Sequence, residues 1–157
     1  MHQVLILLAA IAIPAGAYGL FAPGNIRPCF VSGAAAFQIV PDAASSDVRV
    51  RIATDAPRPD LRMQLVDRPE IADFVLVDDL GTSPDAGCPS SQRIRTVALD
   101  DRSAAPDVTV NLSPDTSADY RIYIRSARFS QRQAAALIAA VWTSDRRGET
   151  TGSIARR

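Results

Sequence analysis

The sequence contains no lysine, and its only histidine is His2. All seventeen basic residues are therefore arginines, and seventeen acidic residues balance them to a formal net charge of zero. Without lysine there is no P-loop phosphate cradle, Schiff base or Ser-Lys dyad. Without a histidine in the body of the chain there is no Ser-His-Asp or Cys-His arrangement and no imidazole ligand for zinc or haem. These absences leave carboxylate chemistry as the remaining enzymatic option and favour a non-enzymatic protein.

Cysteine is also scarce, with only Cys29 and Cys88 in the chain. Two cysteines cannot form a tetrathiolate metal site or an iron–sulfur cluster. An even number of cysteines after an export signal instead predicts a disulfide in an oxidising compartment. This bridge would fasten the entry segment to the long central loop, and two unpaired buried thiols are the alternative.

The size and composition fit one folded domain with one apolar segment. A chain of 157 residues is long enough for a single hydrophobic core. The 47% of hydrophobic residues excludes a wholly disordered chain, and the balanced charge lacks the basic excess of a nucleic-acid-binding module. We predict a signal peptide or membrane anchor at 1–22, an entry segment at 23–46, an α+β domain at 47–147 and a disordered polar tail at 148–157.

The N-terminal segment predicts export. An apolar run at 4–13 is followed by Pro14 and by Ala15-Gly16-Ala17, which has the form of an A-x-A signal-peptide cleavage site. No charged residue occurs at 4–22, and this segment is close to the length of about 20 residues that spans a bilayer. A cleaved signal peptide and a retained single-pass anchor both remain open. Each places the folded domain in the periplasm, whereas a buried N-terminal helix would place it in the cytoplasm.

Short apolar segments separated by turn residues predict strands in the body of the chain. No internal repeat is apparent between them. The candidate strands are 36–40, 48–52, 74–77, 93–100, 107–112 and 120–125. The segment 61–66 is ambiguous: its alternation favours a strand, whereas its Leu, Arg, Met and Gln residues favour a helix. We predict a strand there.

A helix is predicted near the C-terminus. Ser130 and Gln133 have the spacing of a capping box, and Phe129 can pack on the first turn. Gly148 is a typical helix terminator. The predicted fold is α+β, with a mainly antiparallel sheet of about five or six short strands packed on one C-terminal amphipathic helix and preceded by an N-terminal hydrophobic helix.

Three predicted strands carry arginines at alternate positions. Because side chains alternate between the faces of a strand, we expect these residues to share the solvated face of the sheet. Guanidinium groups bind carboxylates and phosphates well, so this face predicts an anionic partner such as a lipid headgroup, an acidic glycan or an acidic protein surface. An ordinary polar face neutralised by nearby aspartates is the alternative. The candidate partner-binding residues are Arg49, Arg51, Arg93, Arg95, Arg121, Tyr123 and Arg125.

Asp78 and Asp79 follow a predicted buried strand and are weak candidates for a calcium or magnesium site. Aspartates also begin turns, which is the simpler interpretation. We therefore predict no metal and no cofactor.

The sequence as a whole predicts an exported, periplasmic, non-enzymatic interaction or accessory domain of the bacterial cell envelope. Its partner would be an envelope protein or an anionic envelope component, and not a nucleic acid. One alternative is a structural subunit of an inner-membrane complex, tethered by an uncleaved N-terminal helix. Another is a carboxylate-dependent hydrolase or metal-binding domain at Asp78 and Asp79.

Overall fold

A computed structural model describes residues 27–78, 88, 93–114 and 117–148 of the chain. The predictions for residues 1–22 and for the tail beyond Gly148 lie outside these residues. Two short 3₁₀ turns, Ala43–Ser45 and Pro69–Ile71, accompany the regular elements. The strands are β1 (Cys29–Ser32), β2 (Ala35–Ile39), β3 (Val48–Ala53), β4 (Leu61–Leu65), β5 (Phe74–Val77), β6 (Arg93–Leu99), β7 (Val108–Ser113) and β8 (Tyr120–Arg125), and the helix is α1 (Gln131–Arg146).

The eight described strands form one curled, mostly parallel sheet, so the prediction of a mainly antiparallel sheet of five or six strands is wrong. The strand order is β1-β2-β6-β3-β7-β4-β8-β5. β1 and β2 pair antiparallel, and all the other neighbours pair parallel. From β2 to β5 the sheet alternates strands of the first half of the chain with strands of the second half.

The error has a physical cause in the stagger of the strands. Parallel strands usually need a connection of about a dozen residues or more, because the chain must return along the strand before it starts again. Connections as short as 40–47 more often join antiparallel strands. In the structure, Ile39 at the end of β2 and Val48 at the start of β3 both pair with Val97. The end of one strand is thus level with the start of the next, and the connection only has to cross the strand between them.

The stagger is accompanied by a sequence repeat, an aspartate just before a strand, that the prediction of no internal repeat overlooked. Asp47, Asp60 and Asp73 each immediately precede a strand, at intervals of 13 residues. Asp107 and Asp119 precede β7 and β8 at an interval of 12. The repeat is carried by one aspartate and an alternating apolar strand, so it is too short to stand out in a chain with so many aspartates.

The helix lies against the inner face of the curled sheet. Every residue from Ala134 to Val141 is at most 5% exposed, whereas an amphipathic surface helix buries only one stripe. Alanine at most of these positions lets the surrounding strands approach the helix closely. The inner face is formed by fully buried side chains such as Val50, Val110 and Ile122. The hydrophobic core therefore lies between the helix and the concave side of the sheet.

Both ends of the helix follow the sequence prediction. The Ser130 hydroxyl accepts a bond from the Gln133 backbone N–H at 3.2 Å, and the Gln133 side chain accepts one from the Ser130 N–H at 2.9 Å. The capping box is thus confirmed. Gly148 follows the helix with φ of +67°, a left-handed conformation that favours glycine.

The predicted disulfide between Cys29 and Cys88 is confirmed, with Cα atoms 4.9 Å apart. Cys29 begins β1, which is one edge of the sheet, and is only 7% exposed. Cys88 lies in the connection that leaves β5, the opposite edge, and leads to β6. The bridge therefore joins this connection to the other edge of the sheet.

Candidate functional site

The structure divides the predicted partner-binding arginines between the two faces of the sheet. The ladder between β3 and β6 pairs Arg49 with Ala98, so Arg95 lies on the opposite, inner face. There the Arg95 Nη1 donates a hydrogen bond of 2.7 Å to the Ser144 hydroxyl of α1. By alternation along β6, Arg93 is also on the inner side. Arg93 and Arg95 are therefore not brought together with the other predicted residues.

The remaining predicted residues share the outer face with one arginine that the sequence analysis left out. That residue is Arg62, which the ladder places beside Asn111 of β7. Its signal was available, because the alternation of Leu61, Met63 and Leu65 leaves Arg62 on the polar side of a predicted strand. We call the set the arginine face: Arg49, Arg51, Arg62, Arg121, Tyr123 and Arg125.

The strands that carry the arginine face are close together in the sheet. β3, β4 and β8 lie in the order β3-β7-β4-β8. Between the arginines, β7 contributes only the uncharged polar side chains of Thr109, Asn111 and Ser113. No acidic residue occurs within these four strands. Acidic residues instead occupy the positions just before the strands.

These acidic residues form a repeated contact that we call the aspartate clamp. In each clamp the aspartate backbone N–H donates to the carbonyl of a residue on the neighbouring strand, and its Oδ2 accepts from the N–H of that same residue. For Asp60 and Thr109 the two distances are 2.9 and 2.7 Å. One clamp joins each neighbouring pair of strands from β6 to β5. The pairs are Asp47–Thr96, Asp107–Arg49, Asp60–Thr109, Asp119–Arg62 and Asp73–Arg121.

The clamp at Asp47 changes the acidity of its carboxyl group. The backbone N–H of Thr96 holds the pKa of Asp47 below its ordinary value, and burial opposes this effect. The Thr96 hydroxyl and the charges of Arg95 and Arg93 lower the pKa further. The clamp therefore favours the ionised carboxylate.

Two arginines of the face turn back onto their own clamps. Arg49 Nε lies 3.3 Å from Asp107 Oδ2, and Arg121 Nε lies 3.4 Å from Asp73 Oδ2. The arginine side chains are 42% and 48% exposed in these pairs. Because both arginine side chains are partly exposed, an anion can still reach their guanidinium groups.

Other polar side chains of the outer face hold the connections that cross the sheet. Asn111 Nδ2 donates to the Thr54 carbonyl at 3.2 Å, and Gln64 Nε2 donates to the Pro114 carbonyl at 2.9 Å. The outer face thus has a structural role at some positions, which limits the residues that are open to a partner.

Asp78, the first weak metal candidate, is fully engaged within the protein. Its Oδ1 accepts from the Ala127 N–H, and its Oδ2 accepts from the Ser126 hydroxyl and from Arg128 Nε, the latter at 2.9 Å. The Asp78 side chain is 8% exposed, and this network links the end of β5 to the turn before α1. Asp79 lies outside the described residues. Within 27–78, 88, 93–114 and 117–148, no three His, Cys, Asp or Glu side chains are grouped as metal ligands.

The described surface includes a groove and a smaller cavity. A groove of about 300 Å³ lies between the edge strands β1 and β5, with Ile138 and Val141 of α1 among its lining residues. Val31 and Val75, one from each edge strand, are 46% and 52% exposed there. A smaller cavity of about 70 Å³ lies on the outer face beside Arg62.

Comparisons of the chain with protein-family models, curated proteins and solved structures found no match. In the part of the chain that the structure describes, no helix is long and apolar enough to cross a membrane.

Proposed function

We propose that this protein is an exported, non-enzymatic interaction domain that binds an anionic partner of the bacterial cell envelope through its arginine face. The observation that carries the proposal is the grouping of five arginines and Tyr123 on the outer side of β3, β4 and β8, with no acidic residue in these strands or in β7. Arginine is suited to carboxylates and phosphates because its planar group donates two parallel hydrogen bonds.

Export is supported by the disulfide between Cys29 and Cys88. Disulfides persist in oxidising compartments such as the periplasm and are rare in the cytosol. The apolar segment at 4–13 and the A-x-A sequence at 15–17 provide the matching export signal.

A non-enzymatic role is supported by what the carboxylates do. With histidine and lysine missing from the body of the chain, carboxylates would have to supply the catalytic acid and base. The clamp aspartates bind backbone N–H groups, and Asp78 binds Arg128 in a largely buried pair. These carboxylates are thus committed to holding the fold.

The intact mass of the protein recovered from bacterial fractions tests export. We expect it in the envelope or periplasmic fraction, with no alkylation of cysteine unless a reductant is added first. Loss of the leader mass would indicate cleavage at 15–17, and retention would indicate an anchor. Recovery from the cytosol with the leader intact and both thiols alkylated would contradict export.

Charge reversal tests the arginine face. We expect the double variant Arg51→Glu, Arg125→Glu to lose most of its binding to anionic vesicles or to an acidic peptide at low salt, because two attractive charges become repulsive. Arg102→Glu, a single reversal in the connection after β6, is the control, and zwitterionic vesicles are the control ligand. Vesicles and peptide distinguish a lipid partner from a protein partner. Unchanged binding of the double variant to both ligands, or no binding by the native protein, would refute the proposal.

A further inference from the structure

The aspartate clamps place three arginines in equivalent positions. The backbone N–H groups of Arg49, Arg62 and Arg121 donate to the aspartates that precede β7, β8 and β5, at 2.8, 2.8 and 2.7 Å. All three side chains leave the outer face from the same position of the repeat. Differences between their guanidinium groups therefore arise from what surrounds each one.

Arg62 differs from the other two in the use of its guanidinium group. Arg49 and Arg121 each return Nε to the carboxylate of their own clamp. The Arg62 side chain is exposed and makes no hydrogen bond or ion pair with any described residue. Its clamp partner Asp119 is close by, and its Oδ2 accepts from the Arg62 backbone N–H.

The Arg62 side chain lines the outer-face cavity of about 70 Å³. The cavity is also lined by Asn111, Ser113 and Ser117, whose amide and hydroxyl groups can donate hydrogen bonds. Asn111 uses one amide N–H on the Thr54 carbonyl, and the second N–H of that amide is available. A cationic fork and several neutral donors around a small space are suited to one small oxyanion.

We infer that the cavity beside Arg62 binds a single small oxyanion: a carboxylate, phosphate or sulfate group. This inference rests on the proposed function and deepens it, because the group would be the part of the anionic partner that the arginine face recognises. The Arg62 guanidinium provides two parallel donors, and Asn111 and Ser117 provide neutral donors that fix the orientation of the anion. The nearby carboxylate of Asp119 opposes binding of an anion, so affinity for a free ion is expected to be weak.

Titration of the full, oxidised protein with inorganic phosphate and with acetate tests the site. We expect saturable changes in the backbone amide resonances of residues 62, 111 and 117. Arg62→Gln should weaken binding by about tenfold or more, because a charge-assisted pair is lost. Arg62→Lys, which keeps the charge but not the planar fork, should give an intermediate affinity. Ser117→Ala should weaken binding without changing the charge.

Arg68→Gln is the matched control, because it removes one exposed arginine from the connection after β4 and leaves the cavity intact. Thermal melting of each variant checks that the fold is retained. If phosphate causes only non-saturating shifts, or if Arg62→Gln and Arg68→Gln weaken binding equally, the ion is attracted by the general field of the surface and the inference is wrong.

The same variants separate this inference from the proposed function. Suppose that Arg62→Gln leaves binding to anionic vesicles or peptide unchanged, while the Arg51, Arg125 double reversal abolishes it. The proposal for the arginine face is then supported, and the inference about the Arg62 cavity is wrong. If phosphate saturates the Arg62 site but no vesicle or peptide binds, the site stands and the wider proposal falls. If Arg62→Gln weakens binding to vesicles alone, the recognised group is a lipid phosphate. If it weakens binding to the acidic peptide alone, the recognised group is a carboxylate.

Discussion

At the residue scale, the aspartate that precedes each of the strands β3, β4, β5, β7 and β8 has a defined structural role. In a clamp such as that of Asp60 on Thr109, one side chain and one backbone N–H together satisfy both polar groups of a residue on the neighbouring strand. Unpaired backbone groups are costly when they are withdrawn from water. The clamp thus fixes where one strand begins relative to its neighbour, and so it sets the stagger of the sheet.

The clamp at Asp47 predicts a pH-dependent contribution to stability. The folded protein lowers the pKa of this carboxyl, so its contribution is fully present above the unfolded value near 3.8 and is lost as the pH falls through the folded value. Asp47→Asn should therefore lower the free energy of unfolding at pH 7, by less than about 1 kcal/mol because Asp47 is exposed and solvent screens its charge, and the difference should shrink at acid pH. Urea unfolding of both proteins between pH 2 and pH 7 measures this, the range being roughly that of a carboxyl titration.

Asp55→Asn is the control for this prediction. Asp55 is exposed in the connection after β3 and makes no hydrogen bond with the described residues. If both variants lose the same stability at every pH, the effect comes from overall charge and the clamp at Asp47 contributes nothing of its own.

At the element scale, local patterns fixed the position of most elements but not their partners. Strict alternation located β3 and β8, and the capping box at Ser130 located the start of α1. β1 was missed because it is only four residues long and lies in turn-rich sequence. Arg95 was assigned to the solvated face because alternation gives two faces without saying which one is buried. Its inward position follows from the register between β6 and β3, which are distant in the sequence, and there it donates to the Ser144 hydroxyl of α1.

The tight packing of α1 against the sheet predicts that a larger side chain on its buried surface lowers stability. Ala140 is fully buried against the curled sheet, so Ala140→Leu should lower the free energy of unfolding by about 1–3 kcal/mol through overpacking. Gln131→Leu, on the exposed first turn, adds an apolar side chain to the same helix and serves as the control. The midpoint of urea unfolding measures both. Equal midpoints for the two variants would show that the sheet does not enclose the helix tightly at Ala140.

At the scale of the whole molecule, the order and direction of the strands could not be predicted from the sequence. Short connections normally indicate antiparallel hairpins, and here they connect parallel strands because of the stagger. The arginine face could be recognised only in part for the same reason. The closeness of Arg62 to Arg121 depends on β4 and β8 being neighbours, although their sequences are far apart.

At this scale, the disulfide between Cys29 and Cys88 predicts a measurable effect on stability. It ties the connection that leaves the β5 edge to Cys29 at the β1 edge, so the double variant Cys29→Ser, Cys88→Ser should lower the free energy of unfolding by about 2–4 kcal/mol. Hydrogen exchange should rise first in β1 and β2, while central strands such as β7 stay protected. Uniform exchange across the sheet would show that the bridge acts on the unfolded chain alone.

The interleaving of the two halves also governs when the protein can fold. In the described sheet, the only ladder formed entirely by residues before Arg93 is the β1–β2 hairpin. When synthesis has reached β5, the strands β3, β4 and β5 cannot yet pair, because the strands that flank them in the sheet have not been synthesised. Native pairing becomes complete only after β8 has emerged, and the helical plug follows later still. Until then the backbone N–H and C=O groups of these three strands lack their native partners.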